Sequence, residues 1–129
     1  MSNSKMNFIQ TAEAPSAIGP YSQAVVVNGM LYSSGQIALT PLGEMLENDV
    51  TIQTHQVMKN LQAVLKAGNS SLSDVIKCTI FLDTMDDFAT VNEIYASYFG
   101  NHKPVRSTVA VQTLPKNALV EIDVVALVN

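Results

Sequence analysis

Apolar positions along this chain switch between a spacing of two and a spacing of three to four, and each switch marks a new element. Residues 1–6 are largely polar and are expected to fray. Asn7 to Thr11 can form a short edge strand, and Ala14 to Tyr21, punctuated by Pro15, Gly19 and Pro20, reads as a loop. Ala24–Val27 and Met30–Ser33 flank Asn28-Gly29, a pair that tolerates the positive φ of a two-residue hairpin turn. After a loop through Thr40-Pro41-Leu42-Gly43, a helix capped by Asn48 or Asp49 is expected. Its apolar stripe is Val57, Met58, Leu61, Val64 and Leu65, and Gly68 stands just past its end. Val75–Leu82 predicts a strand with Ile76, Cys78, Ile80 and Leu82 on one face. A second helix begins near Asp86 or Asp87, carries Phe88, Val91, Ile94, Tyr95, Tyr98 and Phe99 as its stripe, and ends at Gly100. Strands over 107–111 and 119–128 follow, joined by a turn at Leu114-Pro115-Lys116-Asn117.

The order is a strand, a hairpin, a helix, a strand, a helix and two strands. That predicts an α+β sandwich: a mixed six-stranded sheet with two helices on one face. The last strand has Ile122, Val124, Ala126 and Val128 on one face and Val125 and Leu127 on the other. Apolar residues on both faces imply that the side away from the helices packs against another subunit.

Composition adds limits. At 129 residues the chain is one domain, residues 1–129, and with 47% hydrophobic and 14% charged residues it can build a core. The low charge content also fits surface hidden in an oligomer. A net charge of −4 and seven basic residues with no basic run argue against nucleic acid or a membrane surface as partner. The single cysteine, Cys78, cannot form an internal disulfide, no apolar signal core opens the chain, and no stretch is long enough to span a bilayer. A cytoplasmic protein is expected.

Two charges stand out because they lie in or beside segments that read as buried strand. Arg106 follows Pro104 and precedes the strand at Ser107; Glu121 lies in the last strand, two residues from Asp123. A buried charge is costly unless paired or used. The guanidinium fork suits a carboxylate, and a carboxylate can position water or move a proton. From the residues alone, a salt bridge at the surface or an interface accounts for Arg106 equally well. A solvated edge or an intersubunit pair accounts for Glu121 better. Tyr21, on the constrained Gly19-Pro20-Tyr21 loop, could hydrogen-bond a substrate or simply pack, and Gly35 could admit a ligand to the backbone or simply make a turn. His55, His102 and Cys78 have no metal-ligand spacing, and no phosphate loop or dinucleotide fingerprint occurs, so no metal or cofactor is expected.

Taken together, several segments resemble the RidA (YjgF-like) family of imine deaminases. They are Ile18-Gly19-Pro20-Tyr21-Ser22-Gln23-Ala24, the run from Val27 to Ile37, Val91-Asn92-Glu93-Ile94-Tyr95, Pro104-Val105-Arg106-Ser107, Leu114-Pro115-Lys116 and Val120-Glu121-Ile122. The likeness runs in order over nearly the whole chain. It implies a chorismate-mutase-like two-layer sandwich, assembled as a homotrimer with active sites between subunits. It also implies hydrolysis of 2-imino acids, such as 2-iminopropanoate and 2-iminobutanoate, to 2-keto acids and ammonia. Such imines arise from enamines released by pyridoxal-phosphate-dependent serine and threonine dehydratases. By the same resemblance Arg106 binds the substrate carboxylate, Glu121 is the catalytic glutamate, Tyr21 the loop tyrosine, Gly35 the pocket glycine and Asn92 the helix asparagine. Thr108 stands where many relatives carry cysteine. The family contact there runs largely through backbone, so Thr108 can supply it, but no thiol can act. Val105 replaces a more common alanine. A small-acid-sensing regulatory or chaperone-like module is the alternative, and a ribonuclease or translation inhibitor is a weaker one, given the acidic balance.

Overall fold

The computed structural model describes residues 5–129. The first four residues of the stretch expected to fray lie outside that range, and Met6, also assigned to it, instead opens the first strand. Six strands form one sheet: β1 (Met6–Ile9), β2 (Ala24–Val27), β3 (Met30–Ser33), β4 (Val75–Leu82), β5 (Val105–Ala110) and β6 (Val120–Leu127). Two α-helices, α1 (Val50–Ala67) and α2 (Phe88–Phe99), and three single 3-10 turns complete the regular structure among the described residues. The strand order is β1-β2-β3-β6-β4-β5. Only β4 and β5 pair in parallel, because α2 carries the chain back to the same end of the sheet. This is the expected mixed sheet with two helices.

Local chemistry sets the element ends. Asn28 (φ 50°) and Gly29 (φ 77°) make the tight turn between β2 and β3. Asp49 caps α1, its carboxylate accepting from the Ile52 amide at 3.0 Å. Asp87 precedes α2 without a side-chain cap; Thr84 Oγ1 instead accepts from the Asp86 amide at 3.2 Å. Gly68 closes α1 as expected, but at φ −94° its backbone suits any residue, and the left-handed position falls on Asn69 (φ 62°). Gly68 is needed for space: a Cβ there would overlap Leu31 Cδ1.

The α1 stripe, fully buried, packs with Leu31, Ile80, Ile122 and Val124 into one core between the helices and the sheet. Burying each such side chain contributes about 1.5–3 kcal/mol. One expected position is wrong. A β-bulge between Val75 and Lys77 turns Ile76 outward and places Val75 in the core. The face away from the helices carries Phe8, Tyr32, Val105, Val109 and Leu127, all exposed in the single chain. Among the described residues no helix is long and apolar enough to cross a membrane.

Candidate active site

Gly35 meets Glu121 because β3 and β6 lose register between them. Tyr32 pairs with Val125, yet Gln36 pairs with Ile122, so one extra residue bulges out around Ser34-Gly35. Gln36 re-enters the sheet through two bonds with Ile122, at 2.9 and 3.1 Å, and Ser33 Oγ accepts from the Val124 amide at 2.9 Å. The Gly35 Cα then lies against the Glu121 carboxylate; a Cβ there would sit 2.9 Å from Glu121 Cδ and overlap Oε2. This glycine is required by close approach.

Three buried amides staple the loops around this point. Gln23 Oε1 accepts from the Thr11 amide at 2.7 Å, and its Nε2 donates to the Thr11 and Pro15 carbonyls at 3.0 and 2.8 Å. Asn60 of α1 donates to the Ile37 and Leu39 carbonyls at 3.2 and 2.9 Å. Gln53, also on α1, accepts from the Leu119 amide at 2.9 Å, at the foot of β6. Together they shape a cleft of about 640 Å³ whose walls include Ile18, Tyr21, Ser34, Gly35, Lys116 and Glu121. Lys116 holds a left-handed backbone (φ 55°) at its rim. Burial, and secondarily the neighbouring Asp123, push the Glu121 carboxyl above its usual pKa, which makes it a stronger proton acceptor than a free carboxylate.

Arg106 lies elsewhere. It sits inside β5, not ahead of it, and opposite Cys78 in the register, so it points to the helix face. Glu121, opposite Phe81, points to the other face. Arg106 Nη1 donates to Asn92 Oδ1 at 2.6 Å, and its Cζ stands 5.0 Å from the Tyr95 ring centroid and 5.8 Å from that of Phe88. Asn92 therefore meets the arginine in this chain. Thr108 shares the helix face with Arg106, and its buried Oγ1 has no hydrogen-bond partner. β5 is the sheet edge, and Arg106 is exposed there, contrary to the buried setting its sequence suggests.

The candidate residues thus divide into two groups. Tyr21, Gly35 and Glu121 line the cleft, and Arg106, Asn92 and Thr108 stand on the opposite face of β5 and α2. A single chain does not bring Arg106 to Glu121. Sequence reasoning missed the aromatic pair beside Arg106, which it assigned only to the α2 stripe, and the loop-stapling amides, which have no local pattern. Cys78 is fully buried and burial pushes its thiol up to about 11, so it stays protonated, as a core residue would. Among the described residues no group of three or more His, Cys, Asp or Glu could hold a metal ion.

A bulged six-stranded sheet, two helices on one side and an acid-bearing cleft at a loop-closed end define the chorismate-mutase-like two-layer α+β class. Within it, the sequence profile of the family described as endoribonuclease L-PSP matches residues 11–128. The chain is 51% identical over 125 residues to a protein named putative regulator AldR from Lactococcus lactis subsp. lactis, covering 96% of this chain and 99% of that one. It is 43% identical over 128 residues to the human 2-iminobutanoate/2-iminopropanoate deaminase, covering 98% and 93%. The crystal structure of E. coli TdcF with bound serine superposes with a TM-score of 0.90 at 40% identity, covering 95% and 99%. The chain belongs to the endoribonuclease L-PSP family, the RidA (YjgF-like) family its motifs resemble.

Proposed function

We propose that this protein is a hydrolytic deaminase of reactive 2-imino acids, converting them to 2-keto acids and ammonia in the cytoplasm. The observation that carries this is the division of the site. One group offers a cation with the geometry of a carboxylate anchor, and the other a half-buried carboxylate in a cleft beside a phenol, yet they occupy opposite faces of one sheet. A small acid needs both. The site is therefore composite: the β5 edge of one copy meets the cleft of the next, and three copies close the ring. The exposed apolar residues of the open sheet face provide the surface for that assembly. The 43% identity to the human imine deaminase supports the reaction, and the serine bound by TdcF is a small amino acid.

The chemistry is short. Arg106 grips the substrate carboxylate and fixes its plane. The imine carbon is electrophilic, most of all when its nitrogen is protonated. Glu121, with its raised pKa, and Tyr21 hold the attacking water. Glu121 accepts a proton from that water as the C–O bond forms, giving a carbinolamine, and passes it to nitrogen; as the C–N bond breaks, the ionised Glu121 takes the hydroxyl proton and the C=O bond forms. Ammonia leaves and the keto acid remains.

The test follows release of 2-keto acid from imine generated in place by a threonine dehydratase. Arg106→Ala and Glu121→Ala should each reduce turnover to near the uncatalysed rate. Mixed one to one and reassembled, the two inactive proteins should regain about a quarter of wild-type activity, since random assembly leaves that share of interfaces with both groups intact. Full activity of Arg106→Ala in an assembled protein sinks the assignment. The identity to a protein named as a regulator favours a second reading, a sensor of small acids. Arg106-dependent binding of a keto acid without faster imine loss would select it.

A further inference from the structure

We propose that Tyr95 is a positioning residue: with Phe88 it forms an aromatic shelf that, with Asn92 as a polar stop, fixes the Arg106 guanidinium before any ligand arrives. The proposal rests on the reading of Arg106 as the carboxylate anchor. Phe88, Asn92 and Tyr95 occupy positions i, i+4 and i+7 of α2, so they form one stripe. All three converge on the same group. Tyr95 and Phe88 stand within cation–π range of Cζ, at 5.0 and 5.8 Å, and Asn92 accepts from Nη1 at 2.6 Å.

Each contact has a consequence for binding. Arginine is long, and freezing it on ligand arrival costs affinity; a guanidinium already seated avoids that loss. All three partners are neutral, so the full positive charge remains for the ligand. An aspartate at position 92 would hold the guanidinium equally firmly and cancel that charge. The edge held by Asn92 is only one side of the fork, which leaves the remaining donors for a carboxylate. Tyr95 is 7% exposed and its Oη lies beside the buried Cys78 thiol and makes no hydrogen bond to Arg106, so the ring, not the hydroxyl, carries the role.

The experiment uses the full-length protein, with 15N-arginine labelling to observe the Arg106 Nε–Hε resonance, assigned by its loss in Arg106→Lys. Titration with 2-oxobutanoate and imine-hydrolysis kinetics complete the set. Tyr95→Phe should leave the resonance, affinity and turnover unchanged. Tyr95→Leu should move the ligand-free resonance toward that of free arginine. It should also raise KM and the 2-oxobutanoate Kd roughly five- to tenfold, with kcat within about twofold, since uniform binding is what is lost. Asn92→Asp should keep the resonance ordered while raising KM. Phe88→Leu reads the other wall of the shelf and serves if Tyr95→Leu does not fold. An unchanged resonance and KM in a folded leucine variant, or equal damage from Tyr95→Phe, overturns the proposal. Should the wild-type protein neither bind 2-oxobutanoate nor hydrolyse the imine, the functional reading fails, yet the ligand-free resonance still decides on the shelf.

Discussion

Adding one methyl group at Gly35 should disable the cleft without disturbing the fold. Gly35 is exposed and its φ lies outside the left-handed region, so alanine is compatible with the backbone. The three nearest atoms to such a Cβ all belong to the Glu121 side chain. A Cβ at position 35 falls 2.9 Å from Glu121 Cδ and 3.0 Å from Cγ, and it overlaps Oε2. Carbon atoms rest at roughly 3.5–4.0 Å, so the carboxylate must withdraw by about 1 Å. Glu121 is a long side chain and can withdraw cheaply, which is why stability should hardly change. On the proposed mechanism Glu121 orients the attacking water, and a displacement of about 1 Å in such a group costs on the order of 10²-fold in turnover. Release of 2-keto acid from imine generated in place, corrected for uncatalysed hydrolysis, measures the effect; circular dichroism and the melting midpoint verify the fold. Gly35→Ala with kcat/KM within about threefold of wild type would refute the claim that contact with Gly35 sets the working position of Glu121.

Three further substitutions separate function from stability. Glu121 has a raised pKa in the folded protein, so the native state binds its proton more readily than the unfolded chain does. The fold therefore loses stability as pH rises from the unfolded pKa to the higher folded one, and carries the full penalty above it. Glu121→Gln should reduce turnover roughly 10²- to 10⁴-fold and raise the melting midpoint near pH 7 but not in acid. Melting curves across pH that run parallel for the two proteins would show that Glu121 is not the group responsible. Gly68→Ala should cost about 1–3 kcal/mol by overpacking Leu31, whereas Asn69→Gly, at a left-handed position, should be close to neutral; urea unfolding measures both.

Some of this was legible along the chain and some was not. The Asn28-Gly29 turn, the Asp49 cap and the α1 stripe came out where their local chemistry placed them, because each depends on residues within a turn or two of one another. Ile76 defeated the same reasoning: alternation counts residues, and a bulge inserts one without altering composition. Arg106 and Glu121 show the limit most clearly. Their family resemblance was readable, and so was the oddity of a charge beside apolar strand. Which way each points depends on the pairing of β5 with β4 and of β4 with β6, contacts between residues far apart in sequence.

The sequence by itself determined the elements, the turns, the core stripes and the chemical types available for a site. Tertiary structure alone decided that Gly35 touches Glu121, that Asn92 and two aromatic rings take hold of Arg106, and that Arg106 and Glu121 lie on opposite faces of the sheet. The physical reason is the two-residue period of a strand. A one-residue change in register moves a side chain from one face to the other, and register is set by hydrogen bonds between strands, not by the residues of any one of them.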